Sequence, residues 1–321
     1  MAFSTSGLTN CVPSRRPEPE IFRMAMHDDE LAITDDVVRE LIADQFPRWE
    51  TAPVRRVASN GTVNAIFRIG DDVAARFLLR PRDVAVAAEL LQREAEASRR
   101  FAEHSPFPAP WPIAIGNPGK DYPLPWSVQS WVPGSIAPVD IDGSVELARD
   151  LAYLISALRA TDTQGRRFQG DNRGGDLPDH DEWVEECFGK SEGLLDVPTL
   201  RRLWSHFREL PRTSADVMSH GDLQPLNVLV ADGRLVGVLD TGDFAPADPA
   251  LDAMCGWYFF DDASRAVFRD KLGCDDLEWE RSMAWSFQQA LGAIWYYVET
   301  KPVMYQMGRL VLDRVVANTK V

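Results

Sequence analysis

Lysine is scarce in this chain. Lys120, Lys190, Lys271, Lys301 and Lys320 are the whole supply, so nothing before residue 120 carries one. Basic residues in total reach only 34 against 49 acidic ones, a formal charge of −15. A surface of that sign repels phosphate backbones and anionic headgroups, which argues against nucleic acid or a membrane surface as a partner. Cysteine is equally sparse: Cys11, Cys187, Cys255 and Cys274 form no CxxC and pair with no histidine at zinc spacing. Buried thiols are therefore expected in place of a disulfide framework or a zinc site. No apolar run approaches the ~18 residues of a membrane span, and no basic-then-apolar leader opens the chain, so a soluble, cytoplasmic protein is expected. Of the histidines at 27, 104, 180, 206 and 220, only His220 sits in a run with a chemical look.

What is present is apolar mass: 45% of the 321 residues are hydrophobic and 10% aromatic. That is enough for a proper core, and at roughly 100–200 residues per unit the length accommodates two globular units. Residues 1–26 carry Pro13, Pro17 and Pro19 without periodicity and read as a flexible tail. Apolar positions from Leu31 to Phe46 repeat as in a helix that Pro47 closes. Short β-rich runs follow at Val54–Ser59, Thr62–Ile69 and Asp72–Leu79, separated by turn residues, which predicts an antiparallel meander. Val84–His104 reads as a long helix, the prolines at 106, 108, 110 and 112 as an extended link, and Ile113–Gly116 and Trp126–Val132 as strands ended by Pro133-Gly134. From Val145 the pattern is mainly helical, over 145–160, 180–188, 198–209, 250–271, 276–298 and 302–317, interrupted by a hairpin at Asn227–Leu239. The expected architecture is α+β: a small antiparallel-sheet lobe plus one long helix over 27–133, then a larger helical lobe over 134–321, with a ligand-binding cleft between them.

The densest polar run is Ser219-His220-Gly221-Asp222-Leu223-Gln224-Pro225-Leu226-Asn227, and Asp240 ends the return strand of the following hairpin. A hairpin brings its two ends together, so Asn227 and Asp240 should lie side by side. An amide oxygen next to a carboxylate suits Mg²⁺, which takes few protein ligands and completes its shell with phosphate and water. Asp222 is then a third oxygen group nearby, able to accept a proton from a hydroxyl. Together they are the equipment of phosphoryl transfer. A lone His-Gly-Asp would read as a turn cap beside a core histidine.

These residues resemble the aminoglycoside phosphotransferase family, small-molecule and antibiotic kinases with a two-lobed, protein-kinase-like fold. His220-Gly221-Asp222-Leu223 with Asn227 is similar to its catalytic loop, and Leu239-Asp240-Thr241-Gly242-Asp243 with Asp248 and Asp252 to its metal-binding segment and the turn behind it. The resemblance implies that Asp222 deprotonates the acceptor hydroxyl, that Asn227 and Asp240 hold Mg²⁺, and that His220, Asp248 and Asp252 support the loop. It also implies that Asn60, Gly61 and Thr62 lie over the nucleotide phosphates. Related kinases clamp those phosphates with a lysine paired to a helix glutamate; the matching residues here are Arg76 and Glu94, and arginine keeps the charge and adds a fork. Thr241 stands where this branch often has Phe or Trp, and Gln224 where it usually has His.

Gln129, Trp131 and Val132 are expected to offer backbone groups to the purine of ATP, with GTP as the alternative donor. For the acceptor, a small hydroxyl-bearing molecule, Asp181 and Glu185 in an acidic run, Asp261 after an aromatic stretch, and Trp257 and Trp295 are the candidate contacts. Carboxylates with aromatic faces suit a cationic ligand through charge pairing and cation–π contact. The same pattern also fits core aromatics and a solvated acidic face. The leading substrate class is an antibiotic: an aminoglycoside, a macrolide or a basic peptide. A metabolic kinase for an amino alcohol, sugar or amino-acid-like hydroxyl is the alternative, and a catalytically silent nucleotide-binding protein the third reading.

Overall fold

The computed structural model describes residues 30–58, 63–119, 121–139, 143–170 and 172–319. The expected tail at 1–26 and the phosphate-loop residues Asn60, Gly61 and Thr62 lie outside them. The first helix, α1 (Asp35–Gln45), starts where the Thr34 hydroxyl accepts from the Val37 N–H at 3.3 Å. Strands β1 (Val54–Arg56), β2 (Asn64–Ile69) and β3 (Val73–Leu78) form the anticipated meander. Asp83 caps α2 (Val84–His104), its Oδ1 accepting from Ala85 at 2.9 Å and Val86 at 3.1 Å. Then β4 (Pro112–Gly116) and β5 (Trp126–Ser130) complete a five-stranded antiparallel sheet in the order β1-β2-β3-β5-β4.

Period-two alternation divides this sheet into two working faces. Phe67, Phe77, Trp126 and Val128 point to a core shared with Val38, Leu41 and Ile42 of α1. Phe77 stacks on Trp126 with centroids 4.9 Å apart and meets Tyr122 edge-on at 5.1 Å. Gly116 is required opposite Trp126, because a Cβ there would stand 2.2 Å from the indole. The alternate residues Arg76, Ser127 and Gln129 turn toward α2, where they line a cavity of about 230 Å³ with Leu91, Glu94 and Ser98.

After Pro133-Gly134 the chain adds β6 (Ser135–Ile136), a short strand the sequence did not announce. It is followed by α3 (Val145–Arg159), α4 (Asp181–Lys190), α5 (Val197–Phe207) and β7 (Val217–Ser219). The predicted hairpin is β8 (Val228–Ala231) and β9 (Arg234–Val238), and β6 pairs with its outer edge. Asp232 and Gly233 at the tip both take positive φ, +50° and +72°, the geometry of a tight two-residue turn. Strand β10 (Ala245–Ala247) pairs with β7. The helix expected over 250–271 is three: α6 (Ala250–Ala253), α7 (Cys255–Phe259) and α8 (Asp262–Leu272). Phe260 is extended there, and Asp261 begins a new helix by accepting from the Ser264 N–H at 2.8 Å. Two long helices, α9 (Asp276–Tyr297) and α10 (Pro302–Asn318), close the fold. No helix among the described residues is long and apolar enough to cross a membrane.

Two charged clamps fix this helical part. The Asp150 carboxylate on α3 holds the hairpin through Arg234 Nε at 2.6 Å, Arg234 Nη2 at 2.8 Å and the Leu235 N–H at 3.2 Å. Deeper, Asp248 Oδ2 accepts from Arg281 Nε at 2.9 Å, Arg281 Nη2 at 2.6 Å and Trp285 Nε1 at 3.0 Å, with both ion-pair side chains only 4% exposed. Removing one partner from such a pair leaves an uncompensated charge in the core. Arg281→Met is expected to cost about 3–5 kcal/mol of stability by denaturant unfolding. A loss below about 1 kcal/mol, the scale of an exposed pair, would show that this ion pair does not hold the fold.

Candidate active site

Strand β7 delivers His220 and Gly221 into a turn that the carboxylate of Asp252 organises. Its Oδ2 accepts from the His220 N–H at 2.9 Å and its Oδ1 from the Gly221 N–H at 3.0 Å, while Gly221 adopts φ +85°. The His220 ring bonds at both nitrogens: Nδ1 accepts from the Asp222 N–H at 3.2 Å and Nε2 donates to the Leu239 carbonyl at 2.8 Å. That pattern assigns the neutral Nε2–H tautomer. His220 therefore ties the 220–222 loop backbone to the end of the hairpin, and edge contact with Phe101 of α2, 5.6 Å between centroids, ties both to the first lobe.

Asp222 sits at the end of this turn with its carboxylate surrounded by donors. Oδ1 accepts from Arg173 Nη2 at 2.9 Å and Gln289 Nε2 at 2.5 Å. Oδ2 accepts from Asn227 Nδ2 at 2.9 Å and Gln224 Nε2 at 3.3 Å. Gln289 is itself oriented by the Tyr258 hydroxyl, which donates to its Oε1 at 2.8 Å. Because the Asn227 nitrogen is committed to Asp222, its amide oxygen turns away from that carboxylate. The hairpin brings Asn227 next to Asp240, as its base requires: Val228 pairs with Val238, and the Leu239 N–H donates to the Asn227 carbonyl at 2.8 Å.

Asp240 takes the left-handed conformation, φ 56° and ψ 52°, which is uncommon outside glycine and turns its carboxylate out of the hairpin. Arg76 Nη2 from β3 meets its Oδ1 at 3.0 Å, and Arg76 Nη1 lies 4.0 Å from Glu94 Oε2 on α2. The expected Arg76–Glu94 partnership thus extends into a bridge to Asp240. Asp243 joins the same cluster. Burial, reinforced by Asp240, pushes its carboxyl above the usual range, and burial likewise raises Glu94 against the opposing pull of Arg76. No group of three or more His, Cys, Asp or Glu side chains forms a ready metal cage among the described residues. The donor set nevertheless fits a hard divalent ion that keeps water and phosphate ligands: an amide oxygen, a solvent-reaching carboxylate whose partner is a cation, and excess negative charge around it.

On the purine side Gln129 faces the α2 cavity. Trp131 departs from expectation, since its N–H donates to the Asp72 carbonyl at 2.7 Å and its ring lies 4.8 Å from the Arg68 guanidinium. It supports the strand and offers no N–H to a base. Val132 is buried at the crossing between the lobes, against Gly237 of the hairpin.

Of the acceptor candidates, the three carboxylates and Trp257 are engaged within the chain, while Trp295 Nε1 is buried without an acceptor among the described residues. Asp181 accepts from Arg208 and from Trp204 Nε1, and the Arg208 bonds hold its carboxyl below the ordinary range. Arg201 does the same for Glu185. Asp261 is the cap of α8, and Trp257 is buried core, donating to Ser282 Oγ at 3.1 Å. Trp295 packs against the helical core and meets Trp183 at 6.1 Å. Of the four side chains that reach Asp222, Asn227 and Gln224 were named from the sequence, whereas Arg173 and Gln289 were missed. Arg173 lies in a loop without periodicity, and Gln289 sits in a helix too apolar all round to single out one polar position.

His180, beside this group, is buried, edge-on to Trp285 at 5.2 Å and 3.3 Å from Gln288 Nε2. Burial first, then the Arg173 charge, lowers its pKa from 6.5. With the folded value depressed, the unfolded chain binds the extra proton first, so stability falls as pH drops below about 6.5. His180→Gln is expected to lose less stability than the parent between about pH 7.5 and pH 5.5 in thermal unfolding. Parallel curves would overturn that assignment.

With this geometry in place, the chain was compared with known proteins. The model of the phosphotransferase enzyme family (APH) matches residues 54–285, more than half of the chain. No curated protein matches. Among solved structures, the GDP and kanamycin complex of APH(2")-IIia is 19% identical with a TM-score of 0.66, covering 88% of this chain and 99% of that one. The GDP complex of aminoglycoside 2'-phosphotransferase-IIIa is 18% identical at TM-score 0.67, over 89% and 100%. Macrolide 2'-phosphotransferase MphH from Brachybacterium faecium is 19% identical at TM-score 0.59, over 87% and 97%. At these identities the likeness speaks for a shared fold.

Proposed function

Because the chain belongs to the phosphotransferase enzyme family, we propose that it moves the γ-phosphoryl group of a nucleoside triphosphate to a hydroxyl of a small molecule, with 27–133 as the nucleotide lobe and 134–321 as the catalytic and acceptor lobe. The observation that carries this reading is the convergence of Asp222, Asn227 and Asp240 on one hairpin base, bridged by Arg76 to Glu94 of the other lobe. Asp222 takes the proton of the acceptor hydroxyl as the hydroxyl oxygen bonds to the γ-phosphorus. The bond from that phosphorus to the bridging oxygen breaks, and the nucleoside diphosphate leaves. Arg76, aimed by Glu94, presents a fork of donors to the phosphates. A Mg²⁺ ion held by Asn227 and Asp240 supplies, when bound, charge neutralisation on those phosphates. Positioning and electrostatics carry most of such a reaction, which is why the rigid bracing by Asp252 and His220 matters. ATP is the leading donor and GTP the alternative; the solved relatives include a GDP complex and an ADP-bound enzyme.

The acceptor class follows the relatives only in outline, since their titles name aminoglycosides and a macrolide. An antibiotic acceptor is the first reading. The pairing of Asp181 and Glu185 with arginines removes the carboxylates that would have favoured a polycation, and this supports the metabolic acceptor as the second. A catalytically silent protein finds no support, because the base and both metal-ligand positions are intact.

Asp222→Asn is expected to lower kcat by about 10²–10⁴-fold, the usual scale for losing a general base. Nucleotide affinity should stay within about twofold, because the change leaves the phosphate grip in place. Turnover equal to the parent in a coupled NDP-release assay would sink the role. Asp240→Ala should weaken Mg²⁺-nucleotide binding by about tenfold or more in calorimetry, the scale of one lost charge-assisted contact. A magnesium titration that the substitution leaves unchanged would place the metal elsewhere.

A further inference from the structure

Asp222 cannot act as a base in the state described above. A carboxylate offers about four lone-pair sites, and four side-chain donors occupy them: Arg173 and Gln289 on Oδ1, Asn227 and Gln224 on Oδ2. A hydroxyl can deliver its proton only after one donor withdraws. Asn227 and Gln224 belong to the same short loop as Asp222, and Asn227 also donates to the Asp222 carbonyl at 2.9 Å. Gln289 is held in place by Tyr258. Arg173 is the remaining donor, and as a cation it leaves a carboxylate readily only for another anion.

Its position is built. The next residue, Gly174, has φ +117° and its carbonyl accepts from the Asp248 N–H at 2.9 Å; a Cβ there would stand 2.7 Å from Ala247 Cβ. The Arg173 backbone is thereby fastened beside the buried Asp248–Arg281 pair. The guanidinium itself is under-used. It gives one Nη2 bond to Asp222, and its Nε is buried without an acceptor among the described residues. It shares Oδ1 with Gln289 of α9, whereas Oδ2 is held by Gln224 and by Asn227, the proposed metal-side residue, so Arg173 occupies the oxygen turned away from that side.

Resting on the phosphotransfer reading, we propose that Arg173 is the anion handle of the acceptor site: the acceptor carries a carboxylate or similar anionic group near its reacting hydroxyl, and that group draws Arg173 off Oδ1 and so frees the base. The site then selects a hydroxyl-bearing anion or zwitterion over a polycation. Binding of the correct acceptor and unmasking of Asp222 become one event.

The test follows the Arg173 Nε–H signal by NMR in the full-length protein, assigned with Arg173→Lys. The probes are 4-hydroxybutyrate, its uncharged amide, and Mg²⁺-ADP. The carboxylate is expected to shift the signal saturably, with the amide about tenfold weaker or inert, since a charge-assisted bond is worth roughly 1.5–3 kcal/mol. Asp222→Asn removes the competing charge and should tighten carboxylate binding by about tenfold on the same grounds, a response that a purely structural arginine would not give. Equal effects of acid and amide, or no shift, overturn the inference. A shift by Mg²⁺-ADP that excludes the carboxylate also overturns it, by making the donor phosphate the occupant. Calorimetry of Mg²⁺-ADP on the same sample separates the two ideas: without nucleotide binding the phosphotransfer reading fails, whereas normal nucleotide binding with a silent Arg173 sinks only this one.

Discussion

Arg76 on the sheet bridges Glu94 of α2 and Asp240 at the end of the hairpin, at 4.0 and 3.0 Å, with Asp243 within reach of the same charges, so one guanidinium links the two lobes at the site. Burial, with the neighbouring carboxylates adding to it, pushes Glu94 and Asp243 up, so keeping these groups together costs stability that the fold must offset. The fold sustains that strain through packing. Gly242 lets Glu94 approach until a Cβ would stand 3.0 Å from it, and Phe101 of α2 meets both His220 and Phe244 edge-on. On the function proposed above the cost is useful, because surplus negative charge attracts a divalent cation more strongly than a monovalent one.

Arginine is what allows this arrangement. A fork can touch Glu94 and Asp240 at once, as Arg76 does, and it stays charged when only 13% of the side chain is exposed, where a lysine would be prone to lose its proton. The same device recurs at Arg281–Asp248, Arg234–Asp150 and Arg173–Asp222. At Arg76, Arg173 and Arg281 the cation sits partly or wholly out of water, and at all four sites it is bound to a carboxylate in a fixed direction, the task for which arginine's fork is suited.

Much of this was legible in the residues because it is local. The α2 boundaries, the meander and the hairpin with its Asp232-Gly233 tip follow from capping, alternation and turn chemistry over a few positions. The Asp222, Asn227 and Asp240 placement needed only the geometry of one hairpin. Contacts across long sequence separation were not legible. Arg173 meets Asp222 across 49 residues and Gln289 meets it across 67, and no spacing rule encodes either. The pairing of Asp181 and Glu185 in the acidic run at 179–186 was illegible for the same reason, since their partners Arg208 and Arg201 lie at the C-cap of another helix, α5, and within it. The break of 250–271 into three helices was signalled by Asp261 followed three residues later by Ser264, a capping pattern hidden inside an otherwise helical composition.

On the readings proposed above, a formal charge of −15 sets the chain's long-range field against its ligands, since a nucleotide and an anionic acceptor are both negative. Beyond a Debye length of about 8 Å at physiological salt that field is screened, so it acts on encounter rates far more than on the docked complex. Selection is therefore a contact property. An anion that reaches the cleft meets Arg76 on the phosphate side and Arg173 on the acceptor side, each partly desolvated and each released from a carboxylate only by a better partner. A polycation is drawn to the surface yet meets a cation at the base itself. Long-range attraction and local fit are opposed here, and if Asp222 is the base, the local exchange of donors on its carboxylate decides which bound molecules can react.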